Sequence, residues 1–497
     1  MADIVTGVEA VRLAAEDASV KISTGVPGFP INSLFTALQE AGIAGRWQLN
    51  EKIAFEMAMG ASATGGRALV VSKHVGLNVM ADPLTIASTH GIGSGIVVIA
   101  GDDPGAALSQ DEQDSRWYGK PGELPVYDPS TVTELYESIV DGLLLSEQIS
   151  APAIVRVTDQ VLSSSGPVTR RKAPAPDKDL SRDIWQYTML GRHQKYMKDG
   201  WTAAVRRASA TSMNRIVRRG KIGIISSGYV SVPAEGIAAA NRLSHLSMVM
   251  VNPFPAKKAA DFIAEMDTVL VCEETSTFIE SQVSSPKVRG RLTGHLPMAG
   301  GLDEQLILDA VSRIGEMKVT TNIEPETMQS RGFARSLCEE CPFTTIYEAI
   351  RSLGVKTASD SGCSIRTANP PFDMVDVACS LGSPASVASG FREKGVAMLG
   401  DFGLLHTGLP ALLNAKYGGH DLLAIIFVNG KATMTGGQDV PDVIPLLTSV
   451  FGEDCTVLDA GGMTTEQART ELQKLFQAKG LKICAVRGKC PPSAIDG

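Results

Sequence analysis

Residues 422–428 read Leu-Leu-Ala-Ile-Ile-Phe-Val, an unbroken apolar run closed by Asn429-Gly430. A strand with no polar face must be covered on both sides, and sheets covered on both sides are mainly parallel ones flanked by helices. The same pattern recurs along the chain. Strands are expected at 68–72, 95–100 and 153–157. Between the last two, Val132, Leu135, Ile139, Leu143 and Leu144 recur at helical spacing. A second alternating block has strands at 221–227, 247–251 and 268–272, and a third has them at 396–399, 422–428 and 483–486. The fold class expected is α/β: three consecutive α/β domains with mainly parallel sheets.

The boundaries follow changes of composition. A first domain covers 1–165, and the stretch 166–220, opening Gly-Pro-Val-Thr-Arg-Arg-Lys, reads as a linker with helices. A middle domain covers 221–316 and a last one 317–497, with a connector around Asn322 to Ser330.

With 497 residues, each block can bury its own core. A net charge of -8 argues against a nucleic-acid surface, Arg206 to Arg219 being the one basic cluster. No run approaches the roughly twenty apolar residues of a membrane span, and the N-terminus lacks the pattern of an export signal. Eight scattered cysteines fit a reduced compartment, so the expected location is the cytoplasm, without membrane or nucleic acid.

The strand at 396–399 ends at Gly400-Asp401, and the one at 422–428 ends at Asn429. Ligands of open α/β sheets gather at the carboxyl ends of strands. Two adjacent tips would thus each offer an oxygen, with a backbone carbonyl from Lys431, a set that suits magnesium and the oxygens of a diphosphate. Plain structure accounts for the same residues: Asp401 as a helix cap and Asn429-Gly430 as a turn. After Asp401 a helix is expected with Leu409, Leu412, Leu413 and Tyr417 on one face.

The stretch GDFGLLHTGLPALLNAKYGGHDLLAIIFVNGKATMTGGQ resembles the thiamine-diphosphate motif of the indolepyruvate ferredoxin oxidoreductase large (alpha) subunit family. NEKIAFEMAMGAS, VSKHVGLNVMADP, GDDPGAALSQDEQDSRWYGK, CEECPF, SDSGC and PPFDMVDVACSLGS resemble that family's segments in the same order. The resemblance implies thiamine diphosphate, with a pyrimidine-binding domain first and a diphosphate-binding domain last. It implies magnesium on Asp401, Asn429 and Lys431, and cofactor contacts from Gly400, Asp401, Phe402, Asn429, Lys431, Thr433, Met434 and Cys363. It also implies oxidative decarboxylation of a 2-oxoacid, such as an aryl pyruvate, to an acyl-coenzyme A. Expected partners are a second copy of the chain, a smaller oxidoreductase subunit and an electron-carrying iron–sulfur subunit.

Thiamine chemistry needs a carboxyl group on the aminopyrimidine nitrogen, and burial fits a glutamate to share that proton. By resemblance that residue is Glu51, with Glu56 as the alternative; ordinary helix capping by Asn50 and Glu51 is the structural reading. Arg116 is expected to clamp the substrate carboxylate or to join a surface ion network, and His74 to face the cofactor or to be structural.

Two departures stand out. Phe29-Pro30-Ile31 and Cys341-Pro342-Phe343 replace Thr-Pro-Ser and Cys-Pro-His of relatives, placing Phe29 and Phe343 where polar groups are expected near the cofactor. Cys338-x-x-Cys341 is a single pair and Cys484 and Cys490 lack cluster spacing, so no iron–sulfur cluster is expected on this chain. The alternatives are a non-oxidative thiamine decarboxylase or carboligase, and a non-catalytic scaffold.

Overall fold

Stretches of Val, Ile, Leu and Ala without polar interruption form the central strands, because only a site screened by helices on both faces removes such side chains from water. The computed structural model describes residues 3–176, 178–320 and 337–494. They fall into two compact units, Met1–Ile323 and Glu324–Gly497. The connector expected around Asn322 to Ser330 lies outside the described residues.

The first unit holds a two-stranded pair and two larger sheets. In one, Val20–Gly25, Arg67–Lys73, Ile96–Asp102, Ala153–Thr158 and Val126–Tyr127 run parallel in that spatial order, and Met250–Asn252 closes the edge antiparallel to Val126–Tyr127. Lys73 pairs in register with Gly101, so the carboxyl ends of these strands lie side by side. Helices Gly7–Asp17, Glu51–Ala63, His74–His90 and Val132–Ile149 accompany this sheet. The helix anticipated from Val132 to Leu144 begins where Thr131 accepts the backbone N–H of Glu134, a side-chain cap.

The other sheet has the order Val288–Arg289, Thr268–Cys272, Ile222–Ser227, Ser244–Met248 and Arg215–Val217, all parallel except the last. The stretch expected as a linker with helices is more ordered than that. Ser165–Val168 pairs with Asp3–Thr6, helices Met189–Tyr196 and Thr202–Ala210 follow, and Arg215–Val217 joins the second sheet. The basic cluster is neutralised locally, with Arg207 on Asp141, Arg218 on Glu265 and Arg219 on Glu235.

The second unit is built on one all-parallel sheet with the order Val377–Ala378, Thr357–Ser359, Gly395–Gly400, Leu422–Val428, Lys482–Arg487 and Cys455–Asp459. Every residue of Leu422–Val428 is buried. The helix after Gly400 differs from expectation. It is α-helical at Asp401–Gly403, widens to a π-turn at Leu404–Gly408, and resumes as α at Leu409–Tyr417. The wide turn shifts the phase, so Leu404, Gly408, Leu412 and Ala415 face the core while Leu413 is 44% and Tyr417 95% exposed. Among the described residues no helix is long and apolar enough to cross a membrane.

Candidate functional site

In the second unit, the tips of Gly395–Gly400 and Leu422–Val428 are neighbours, with Gly400 in register with Phe427. Asp401 is 2% exposed. Its Oδ2 accepts the backbone N–H of Asn429 at 3.0 Å and of Gly430 at 2.7 Å, and its Oδ1 accepts that of Phe402 at 2.8 Å. Burial pushes this carboxyl up to about 6, against the pull of those N–H groups. A buried carboxylate held only by backbone amides is short of positive charge, which a cation would supply. Nothing lies within 4 Å of the position a β-carbon would take on Gly400 or Gly430, so there is open space beside both.

Asn429 accepts the Lys431 N–H on its Oδ1 at 3.0 Å and donates to the Cys490 sulfur at 3.1 Å. Thr433 is buried, with its hydroxyl 3.2 Å from the Cys363 sulfur, whereas Met434 is 38% exposed. The ring of Phe402 lies 6.3 Å from that of His406. The fold therefore brings Gly400, Asp401, Phe402, Asn429, Lys431, Thr433, Met434 and Cys363 to one end of this sheet.

Sequence reading missed a second carboxylate there. Asp360 is fully buried one strand away, its Oδ1 accepting the Gly382 N–H at 3.0 Å, and burial pushes it up to about 6. A β-carbon on Gly403 would come within 1.9 Å of Asp360 Oδ2, so the Gly at that place in Gly-Asp-Phe-Gly is a steric requirement.

Phe343 is a core residue, 4% exposed, edge-on to Phe427 with ring centroids 5.0 Å apart. Its ring also fills the place of a side chain at Gly488. That packing brings Cys341 beside the segment bearing Cys490. Burial, then the neighbouring thiols of Cys490, Cys363 and Cys338, push Cys341 up to about 11, with the Phe343 N–H acting the other way. Spacing along the chain gave no hint of this grouping. Among the described residues no three His, Cys, Asp or Glu side chains are already drawn in around a single metal position.

In the first unit, Glu51 opens the helix Glu51–Ala63 after the Asn50 cap and is 8% exposed. Its carboxyl lies over Gly76: a β-carbon there would meet Glu51 Oε1 at 2.7 Å and the Ser72 hydroxyl at 2.2 Å. Glu51 thus sits at the carboxyl end of Arg67–Lys73. Glu56 does not; it pairs with Lys52 at 2.5 Å and is largely exposed. His74 is fully buried at the same strand end, with Nδ1 3.3 Å from the Gly101 carbonyl and Nε2 3.5 Å from Asp111. The turn Phe29-Pro30-Ile31 packs there too, since a side chain on Gly101 would strike Pro30 and Ile31.

Arg116 goes elsewhere. Fully buried, it meets Asp114 at 2.7 Å, Glu273 at 3.0 Å and Asp128 at 3.5 Å, and donates to the Ser227 hydroxyl at 3.0 Å. Arg156 extends the network to Asp102 at 2.6 Å and Asp128 at 3.1 Å. These carboxylates occupy the guanidinium expected to take a substrate carboxylate, so Arg116 is not available as that clamp. The ion network foreseen as the alternative is real, but buried and not at the surface.

Residues 48–220 match the family model described as "Pyruvate flavodoxin/ferredoxin oxidoreductase, thiamine diP-bdg". The chain is 31% identical to the indolepyruvate oxidoreductase subunit IorA of Archaeoglobus fulgidus over 88% of its own length and 76% of that protein. It is 28% identical to the subunit of the same name from Methanothermobacter thermautotrophicus, over 96% of this chain and 80% of that one. A solved 2-oxoglutarate:ferredoxin oxidoreductase from Magnetococcus marinus shares the fold, with a TM-score of 0.51 and 17% identity over 63% of this chain and 65% of that one. The chain carries a thiamine-diphosphate-binding domain and belongs to the family of the indolepyruvate oxidoreductase subunit IorA.

Proposed function

We propose that this chain is the thiamine-diphosphate-binding large subunit of a cytoplasmic 2-oxoacid:ferredoxin oxidoreductase, acting on an aryl pyruvate of the indolepyruvate kind and delivering the acyl group to coenzyme A. The observation that carries the reading is Asp401: a buried carboxylate between two strand tips, oriented by the Asn429, Gly430 and Phe402 amides and lacking a cationic partner among the described residues. Thiamine diphosphate, when bound, supplies an acidic thiazolium carbon at which a 2-oxoacid can be decarboxylated. Asp401, the Asn429 side chain and the Lys431 carbonyl would hold its magnesium ion. The open space at Gly400 and Gly430 would admit the diphosphate beside that ion. Glu51, buried at the strand end, would share a proton with the aminopyrimidine nitrogen.

The thiol grouping alters the expected electron route. Cys338, Cys341, Cys363 and Cys490 match the four-thiolate ligand number of an iron–sulfur cluster, so we place the first electron acceptor on this chain, ahead of the partner iron–sulfur subunit. A smaller oxidoreductase subunit and a second copy of the chain complete the assembly.

Calorimetric titration tests the site. Asp401→Ala is expected to abolish the magnesium dependence of thiamine diphosphate binding and to weaken it at least 10-fold, about 1.4 kcal/mol. Equal, magnesium-dependent affinity in the variant removes Asp401 from the role.

A further inference from the structure

With Arg116 enclosed by carboxylates, the substrate's own carboxylate needs another cation. Lys73 ends the strand Arg67–Lys73 and immediately precedes the His74–His90 helix, next to Ser72, whose hydroxyl shares the Gly76 niche with the Glu51 carboxyl. It stands in register with Gly101. Its stem crosses Gly28, where a β-carbon would come within 3.0 Å of Lys73 Cβ. The side chain is only partly exposed, and among the described residues its ammonium makes no ion pair or hydrogen bond. The two acids nearest in charge are engaged elsewhere. Asp103 accepts the backbone N–H groups of Ala107, Leu108 and Ser109, and Asp111 lies against His74 and accepts from Gln113. Burial depresses the Lys73 ammonium despite both acids. A partly desolvated cation at a strand tip gains most from an anion delivered with the substrate.

We infer that Lys73 is the residue that takes the carboxylate of the 2-oxoacid. The inference rests on the function proposed above and goes beyond it by naming the group that recognises the substrate class. It requires an anionic head on the substrate and leaves the rest of the molecule to other contacts.

The experiment compares wild type, Lys73→Met and Lys73→Arg as the purified complex loaded with thiamine diphosphate and magnesium. Indolepyruvate is the probe, with KM and kcat from anaerobic turnover and the indolepyruvate Kd from calorimetry in a Glu51→Gln background, which binds the cofactor without turning over. Loss of one charge-assisted contact is worth ~10- to 100-fold. Lys73→Met is therefore expected to raise KM and Kd by about that factor, with thiamine diphosphate affinity and melting temperature unchanged and Lys73→Arg recovering part of the loss. Indolepyruvate affinity in Lys73→Met within twofold of wild type overturns the inference, as does a matching loss of thiamine diphosphate affinity, which would assign Lys73 to the cofactor. A wild-type complex that neither binds nor turns over any 2-oxoacid contradicts the proposed function itself, a result distinct from failure of the Lys73 variants alone.

Discussion

Asp360 and Asp401 show how one fold treats two neighbouring carboxylates. Both are buried at the carboxyl ends of adjacent strands and both are pushed up to about 6 by burial. Asp401 has backbone donors on each oxygen, whereas Asp360 Oδ2 has no hydrogen-bond partner. Unfolding returns Asp360 to its ordinary value near 3.8, so between that value and about 6 the native state holds more protons than the unfolded one. Stability therefore falls as pH rises through this window, and the full penalty stands above it. Asp360→Asn imitates the neutral acid. In the cofactor-free protein it is expected to raise the melting temperature at pH 8, by a margin that shrinks as pH is lowered from 6 towards 4. A margin independent of pH in thermal scans would show that the charge is not the cause.

At the scale of elements, what could be read beforehand was what local chemistry dictates. Strands such as Leu422–Val428 were legible because an unbroken apolar run has few other solutions. Thr357–Ser359 was not, since three small residues carry no period. The π-turn at Leu404–Gly408 was also hidden, although Gly382, Gly403 and Gly408 are its marks. A side chain on Gly382 would strike the Gly403 carbonyl at 2.6 Å and the Gly408 nitrogen at 2.8 Å, so backbone lies directly on backbone there. Such approach is a tertiary fact that no window of sequence contains. The consequence is measurable. Leu412→Ala is expected to cost about 2–5 kcal/mol in denaturant titrations, while Tyr417→Ala, at a 95% exposed position, changes stability by less than ~0.5 kcal/mol. Equal effects would restore the regular helical phase.

At the scale of the whole molecule, the candidate site was legible where its residues follow strand ends in sequence and illegible where it depends on distant partners. Asp401, Asn429 and Glu51 belong to the first kind. Arg116 belongs to the second: its acids come from residues 114, 128 and 273, and the last lies far along the chain. The cysteine grouping is similar, since Cys490 reaches the others only through the parallel sheet and the packing of Phe343 on Gly488. Because the Arg116 network ties loops of the first sheet to Ser227 and Glu273 at the ends of the second, it is a structural joint of the first unit. Arg116→Ala, which takes the guanidinium from Asp114 and Glu273 while Asp128 keeps Arg156, is expected to cost about 3–5 kcal/mol, read as a lower melting temperature with or without substrate. A stable variant with only a raised KM would return Arg116 to the substrate.

The most direct test is anaerobic turnover by the complex purified with its subunits, supplied with indolepyruvate, coenzyme A, thiamine diphosphate, magnesium and methyl viologen. The expected result is acyl-coenzyme A and two reduced viologens for each carbon dioxide released, with all three lost in Glu51→Gln although the cofactor still binds. Carbon dioxide and free aldehyde released without any acceptor would contradict an oxidoreductase.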